Sequence, residues 1–143
     1  MDRKEFALEK FGDGFNCAQS VLSAFSSNFG LDENNALKIA AGFGGGCRCG
    51  EVCGAVTGAI MVLGLKYGHC RKGDVEAKNN ANAKTVNLIG KFKDINRTIV
   101  CRELLGYDLT KEEDYKIMLE KNLFKTECVR FIGDAVGILE EIL

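Results

Sequence analysis

Apolar residues recur along this chain at intervals of three and four rather than two, which predicts an all-α protein. Asp2 to Phe11 reads as a short amphipathic helix with Phe6, Leu8 and Phe11 apolar, closed by Gly12 and Gly14. Asn16 can cap a second helix reaching to about Phe29, with Gln19 three residues on in a capping box. Ala18, Leu22, Phe25 and Phe29 form its stripe, and Cys17 lies in its first turn in line with Val21. Gly30 ends that helix, and Asp32 caps a third through Ala41. Five of the nine residues from Gly42 to Gly50 are glycine. That cost in chain entropy implies positive φ or a close approach of the backbone to something.

The central segment, a helix predicted from Glu51 to about Tyr67, is apolar nearly all round and carries Gly54 and Gly58 one turn apart. Glycine inside a helix costs about 1 kcal/mol against alanine, so this small-residue face implies another backbone packed close to it. Asp74 can cap a long helix to roughly Ile95, with Asn82, Val86, Ile89 and Phe92 on one face. A short helix from near Thr98 or Cys101 to Gly106 follows, then a charged helix opened by Thr110 with Glu113 as a second capping box. The last helix starts near Thr126 and puts Cys128, Phe131, Ile132, Ala135 and Leu139 on one side. No run of five alternates apolar and polar, and proline is absent. The expectation is a compact single-domain bundle of six to eight helices over residues 1–143, around a central buried glycine-rich helix.

Composition narrows the chemistry. A chain of 143 residues at 46% hydrophobic content can bury roughly two thirds of its unfolded surface and needs no disulfide or metal simply to fold. The net charge is -1, and the basic run Lys91 to Arg97 is broken by Asp94, so it reads as a solvated helix face and not a nucleic-acid contact. The charged N-terminus Met1 to Glu5 has no apolar core, so it is no signal peptide, and a cytoplasmic location is expected. The uncharged stretch Val52 to Leu65 is 14 residues, too short for a membrane span.

Seven cysteines cannot all pair within one chain, and a reducing compartment points to metal or redox chemistry rather than a disulfide framework. The alternative is that several are small buried hydrophobes. The helix map puts Cys17, Cys53, Cys101 and Cys128 each in the first turn of a different helix, on or beside its apolar face. A helix N-terminus stabilises a thiolate, so four such ends pointing inward would suit an iron–sulfur cluster or a pair of reactive dithiols. No C-x-x-C occurs, and Cys47, Cys49 and Cys53 read C-x-C-x-x-x-C, neither of the common ferredoxin spacings. Cys47 and Cys49 sit in the glycine loop, where exposure and an accessory role are expected. Cys70 follows His69, the only histidine, in what reads as an ordinary loop. The glycine loop lacks the Lys-Ser/Thr ending of a P-loop and follows no strand, which argues against nucleotide binding.

The segments Asn16 to Val21, Gly42 to Gly46, Gly50 to Ala55 continuing to Gly58, Cys101 to Gly106, and Cys128 resemble the C_GCAxxG_C_C family of redox-active proteins over almost the whole chain. The resemblance implies that the family's four cysteines are Cys17, Cys53, Cys101 and Cys128, the same four the helix map selects. A related segment occurs in split-Soret cytochromes c with an iron–sulfur centre, although this chain has no C-x-x-C-H for covalent haem. The leading expectation is therefore an electron-transfer protein whose four helix-start cysteines hold a two-iron cluster and which serves an unidentified redox partner protein. In it, Gly44, Gly45, Gly46 and Gly54 would let the backbone approach the sulfurs. A metal-free alternative has Cys53 attack and Cys49 or Cys17 resolve. A third is a non-redox helical binding module with structural cysteines, in which Gly54 with Gly58, or Gly133 with Gly137, could form a homodimer face.

Overall fold

Capping side chains set the starts of four helices in the computed structural model, which describes residues 1–143. Helix α1 (Arg3–Gly12) opens on an Asp2 capping box with Glu5. Helix α2 (Cys17–Ser26) opens on Asn16, whose Oδ1 accepts from the Gln19 amide while Gln19 Oε1 accepts from the Asn16 amide, both at 2.9 Å. A 3-10 turn (Ser27–Phe29) ends at Gly30 with φ 81, and Asp32 caps α3 (Glu33–Ile39). Then come α4 (Gly54–Tyr67), α5 (Val75–Asn96), α6 (Cys101–Leu105), α7 (Glu112–Glu120), α8 (Leu123–Thr126) and α9 (Cys128–Ile142). The count is nine, above the expected six to eight, because α8 is a single turn started by Asn122 in the left-handed region. Four residues cannot show a helical period.

The centre of the bundle is the contact between α2 and α4, with α1, α3, α5 and α9 packed around it. Gly58 makes it possible: a Cβ there would fall 2.8 Å from the carbonyl oxygen of Ala18 and 3.1 Å from its Cα. At Gly54 a Cβ would meet the Cys17 Cβ at 3.2 Å. This small-residue pair therefore serves packing inside the chain and presents no outward face. Because α2 is covered on nearly every side, its serines are buried too, and Ser20 Oγ returns its proton to the Asn16 carbonyl at 2.7 Å.

Two expectations shift, one a helix face and one a cap. On α5 the buried residues are Leu88, Phe92 and Asn96, while Val86 is 70% exposed. The apolar stripe that wins starts near Thr85, and Phe92 packs its ring against Phe131 at 6.3 Å between centroids. Nor does Thr110 cap α7. The N–H and Oγ of Thr110 both donate to Asp108 Oδ1, at 2.9 and 2.6 Å, so the nearer carboxylate takes the donors and the helix starts later behind Lys111. The last helix has the face read from sequence, with Cys128, Phe131, Ile132, Ala135 and Leu139 all buried. No helix is long and apolar enough to cross a membrane.

Candidate functional site

The glycine loop does not run straight into the central helix. The chain leaves helical geometry from Glu51 to Cys53, and Val52 pairs antiparallel with Val100. The Cys53 amide donates to the Ile99 carbonyl at 2.7 Å, and the Cys101 amide to the Glu51 carbonyl at 2.6 Å. In such a pairing the residues flanking the two valines project to one face, so Cys53 and Cys101 share a side. Helix α4 accordingly starts at Gly54, three residues later than expected from Glu51, and Cys53 is its N-cap, not a first-turn residue. Outside the bridge, Arg102 Nη1 reaches Glu51 Oε1 at 2.6 Å and the Gly50 carbonyl at 3.2 Å.

The other two buried sulfurs come from helix starts: Cys17 opens α2 and Cys128 opens α9. All four cysteines, none more than 8% exposed, line a single cavity of about 330 Å³. Leu104, Leu105 and Phe131 complete its apolar wall. The convergence lies within one chain. No three His, Cys, Asp or Glu side chains gather closely enough to hold one ion. Four thiols are the donor set of an iron–sulfur cluster, so the residues fit that group in kind.

Burial dominates the electrostatics. The Cys53 thiol is pushed up to about 11 by desolvation, against the lowering effect of the nearby Ala55 and Val56 amides. Cys101 rises to about 12, first through burial and then through the neighbouring Cys53 and Cys128, with the Arg48 guanidinium pulling the other way. Cys17 is held well above an ordinary thiol, mainly by its hydrogen bond to Cys128 and then by burial, and the same bond lowers Cys128. The expectation that four helix starts favour four thiolates is thus corrected, because desolvation outweighs the helix ends at Cys53 and Cys101, and at Cys17 the neighbouring Cys128, with burial behind it, does the same. A cation in the cavity would reverse that order.

The loop earns its glycines by close approach. Gly45, Gly46, Cys47 and Arg48 are consecutive left-handed residues, with φ of 64, 61, 59 and 59. A Cβ at Gly46 would overlap the backbone of Glu51 and lie 2.9 Å from the Cys101 Cβ, so Gly46 seats the loop beneath the Val52–Val100 bridge. At Gly44 a Cβ would fall 2.5 Å from that of Asn16, whose Nδ2 also donates to the Ala41 carbonyl at 3.0 Å. Gly44, Gly45 and Gly54 line the cavity, whereas Gly46 does not.

Cys47, Cys49 and Cys70 are exposed, and none lines the cavity. The Cys49 thiol donates to the Gly46 carbonyl at 3.3 Å. Of the two resolving partners considered for Cys53, Cys17 shares its cavity and Cys49 does not. Sequence reasoning passed over Arg48, which reaches the cavity from the left-handed turn. Its signal was a cation set between two cysteines in a glycine loop. The model of a family described as "Putative redox-active protein (C_GCAxxG_C_C)" matches residues 15–142. No curated protein and no solved structure matches the chain.

Proposed function

The chain belongs to the C_GCAxxG_C_C family, and from that premise we propose that it is an electron-transfer protein holding a two-iron iron–sulfur cluster through Cys17, Cys53, Cys101 and Cys128. The observation that carries this reading is the convergence of four buried thiols, from four separate elements, on one cavity. A bound cluster would supply reversible one-electron exchange at a potential set by charge, hydrogen bonds and exposure. Leu104, Leu105 and Phe131 keep water from the sulfurs, and Arg48 places a positive charge at the cavity. Ligation requires thiolates, so loading would release the protons that burial keeps on Cys53 and Cys101.

The test is anaerobic purification followed by a visible spectrum with iron and acid-labile sulfide measured on the same sample. Matching iron and sulfide, with visible bands bleached by dithionite, is the expected result. A colourless, metal-free protein after attempted cluster reconstitution would overturn the reading.

One observation favours a second reading. Cys17 and Cys128 line the same cavity, and each is the foremost influence on the other's acidity, raising Cys17 and lowering Cys128, so Cys128 is the readier thiolate of the two. Cys128 thiolate would attack a small-molecule disulfide and expel one thiolate. Cys17 would then attack the mixed disulfide, releasing the second thiol and leaving a Cys17–Cys128 bond. Peptide mapping after oxidation of the metal-free protein would find that bond, and its absence would remove this alternative.

A further inference from the structure

The sulfur-lined cavity borders an outer groove of about 600 Å³, and Phe11, Gly14, Arg48 and Phe124 line both. The groove lies within the volume range of small-molecule sites. Its aromatic wall is Phe11, Phe15, Tyr115 and Phe124, from α1 and the turn after it, α7 and α8. Tyr115 and Phe124 tilt toward each other with ring centroids 5.9 Å apart. Two charged side chains line it, Arg48 and Lys125, and no carboxylate does; the Asp13 side chain stays out of the lining. Neither cation takes part in any of the protein's four ion pairs. Arg48 also holds its place at a backbone cost, since a non-glycine residue at φ 59 is about 1–2 kcal/mol less favourable than in the right-handed region. Strain of that kind is kept where the side chain has a task.

Aromatic walls with two unpaired cations complement a flat ring system bearing negative charge. We propose that this groove binds a planar aromatic anion of the flavin mononucleotide class, its ring among Phe11, Phe15, Tyr115 and Phe124 and its phosphate on Arg48 and Lys125. Such a ring would sit against the shared wall of the cysteine cavity, where a small-molecule electron carrier would be useful. That purpose rests on the redox reading above, but the binding does not.

The test is a fluorescence titration of flavin mononucleotide with the full-length, metal-free protein. Flavin emission lies in the visible, clear of protein emission, and the chain has no tryptophan to quench it. Saturable quenching is expected, with riboflavin, which lacks the phosphate, at least tenfold weaker. Arg48→Gly keeps a residue suited to the left-handed turn and removes the charge, and it should weaken binding at least tenfold, as should Lys125→Gln. No saturable quenching, equal affinity for riboflavin, or wild-type affinity in both variants would each overturn the proposal. Because the titration uses metal-free protein, its failure leaves the cluster reading untouched, and a missing cluster would leave a positive titration standing.

Discussion

Cys49 and Cys53 are near neighbours in the chain and occupy opposite surroundings. Cys53 is 4% exposed, fixed by its amide to Ile99 and lodged among three other buried sulfurs. Cys49 is exposed on a left-handed turn, its thiol resting on the Gly46 carbonyl. Between them the chain turns at Gly50, with φ 73, and enters the Val52–Val100 bridge, which carries Cys53 inward. Cys128, far away in sequence, is by contrast a cavity neighbour of Cys53. Density of cysteines in sequence therefore says little here about which of them act together. Position at the start of a buried helix face says more.

The largest effect that separates the two sets is cofactor loss. Cys53→Ala should take iron and sulfide content to near zero in anaerobically purified protein, while Cys49→Ala retains the wild-type amount. Equal loss in both would erase the distinction between inner and outer sulfur. Reactivity gives the next contrast. In native metal-free protein at pH 8, iodoacetamide should label Cys47, Cys49 and Cys70 quickly. The four buried thiols should lag by roughly a hundredfold or more, because they react only through local opening. Mass spectrometry of a time course counts the two classes. Seven thiols reacting at one rate without denaturant would contradict the burial on which the comparison rests.

Helix identity, the Asn16 capping box and the face of α9 were legible because they are periodic and local. The burial of Cys17, Cys53, Cys101 and Cys128 was legible for the same reason, as each sits at or beside the start of an apolar face. What brings them together was not. The bridge between Val52 and Val100 joins two short segments that carry no alternation, and it displaced the expected start of α4. The α5 face was misread at Val86 because two overlapping stripes fit the spacing, and only packing against α4 and α9 selects Leu88 and Phe92. The acidity of the thiols was misjudged because a helix end is visible in sequence and desolvation is not.

A glycine exchange tests whether the loop truly seats the inner pair. Gly46→Ala meets both a left-handed φ of 61 and the backbone of Glu51. It should cost about 2–5 kcal/mol, the sum of about 1–2 for the conformation and about 1–3 for overpacking. Gly137→Ala, on α9 with nothing within 4 Å of the added carbon, should be neutral or stabilising by up to about 1 kcal/mol. Urea midpoints measure both. A Gly46→Ala protein as stable as the wild type would mean that the loop and the bridge are not mechanically joined.

The smallest effect is the most diagnostic of burial. Cys53 titrates at about 11 when folded, against about 8.5 for an ordinary thiol. The folded chain therefore binds more protons than the unfolded one across that window, and stability must fall as pH rises. The contribution of Cys53 is complete below about pH 8.5 and is lost progressively toward pH 11, amounting to about 3–4 kcal/mol over the whole span. Cys101 adds in the same direction. Tyrosines and lysines also titrate there, so the informative quantity is a difference between variants of the metal-free protein followed from pH 8 to 10.5. Cys53→Ala should flatten the decline of the urea midpoint, and Cys49→Ala, which removes an exposed thiol, should follow the wild-type curve. Two parallel curves would show that Cys53 meets the same solvent as Cys49, and the inner and outer cysteines would then differ in position only.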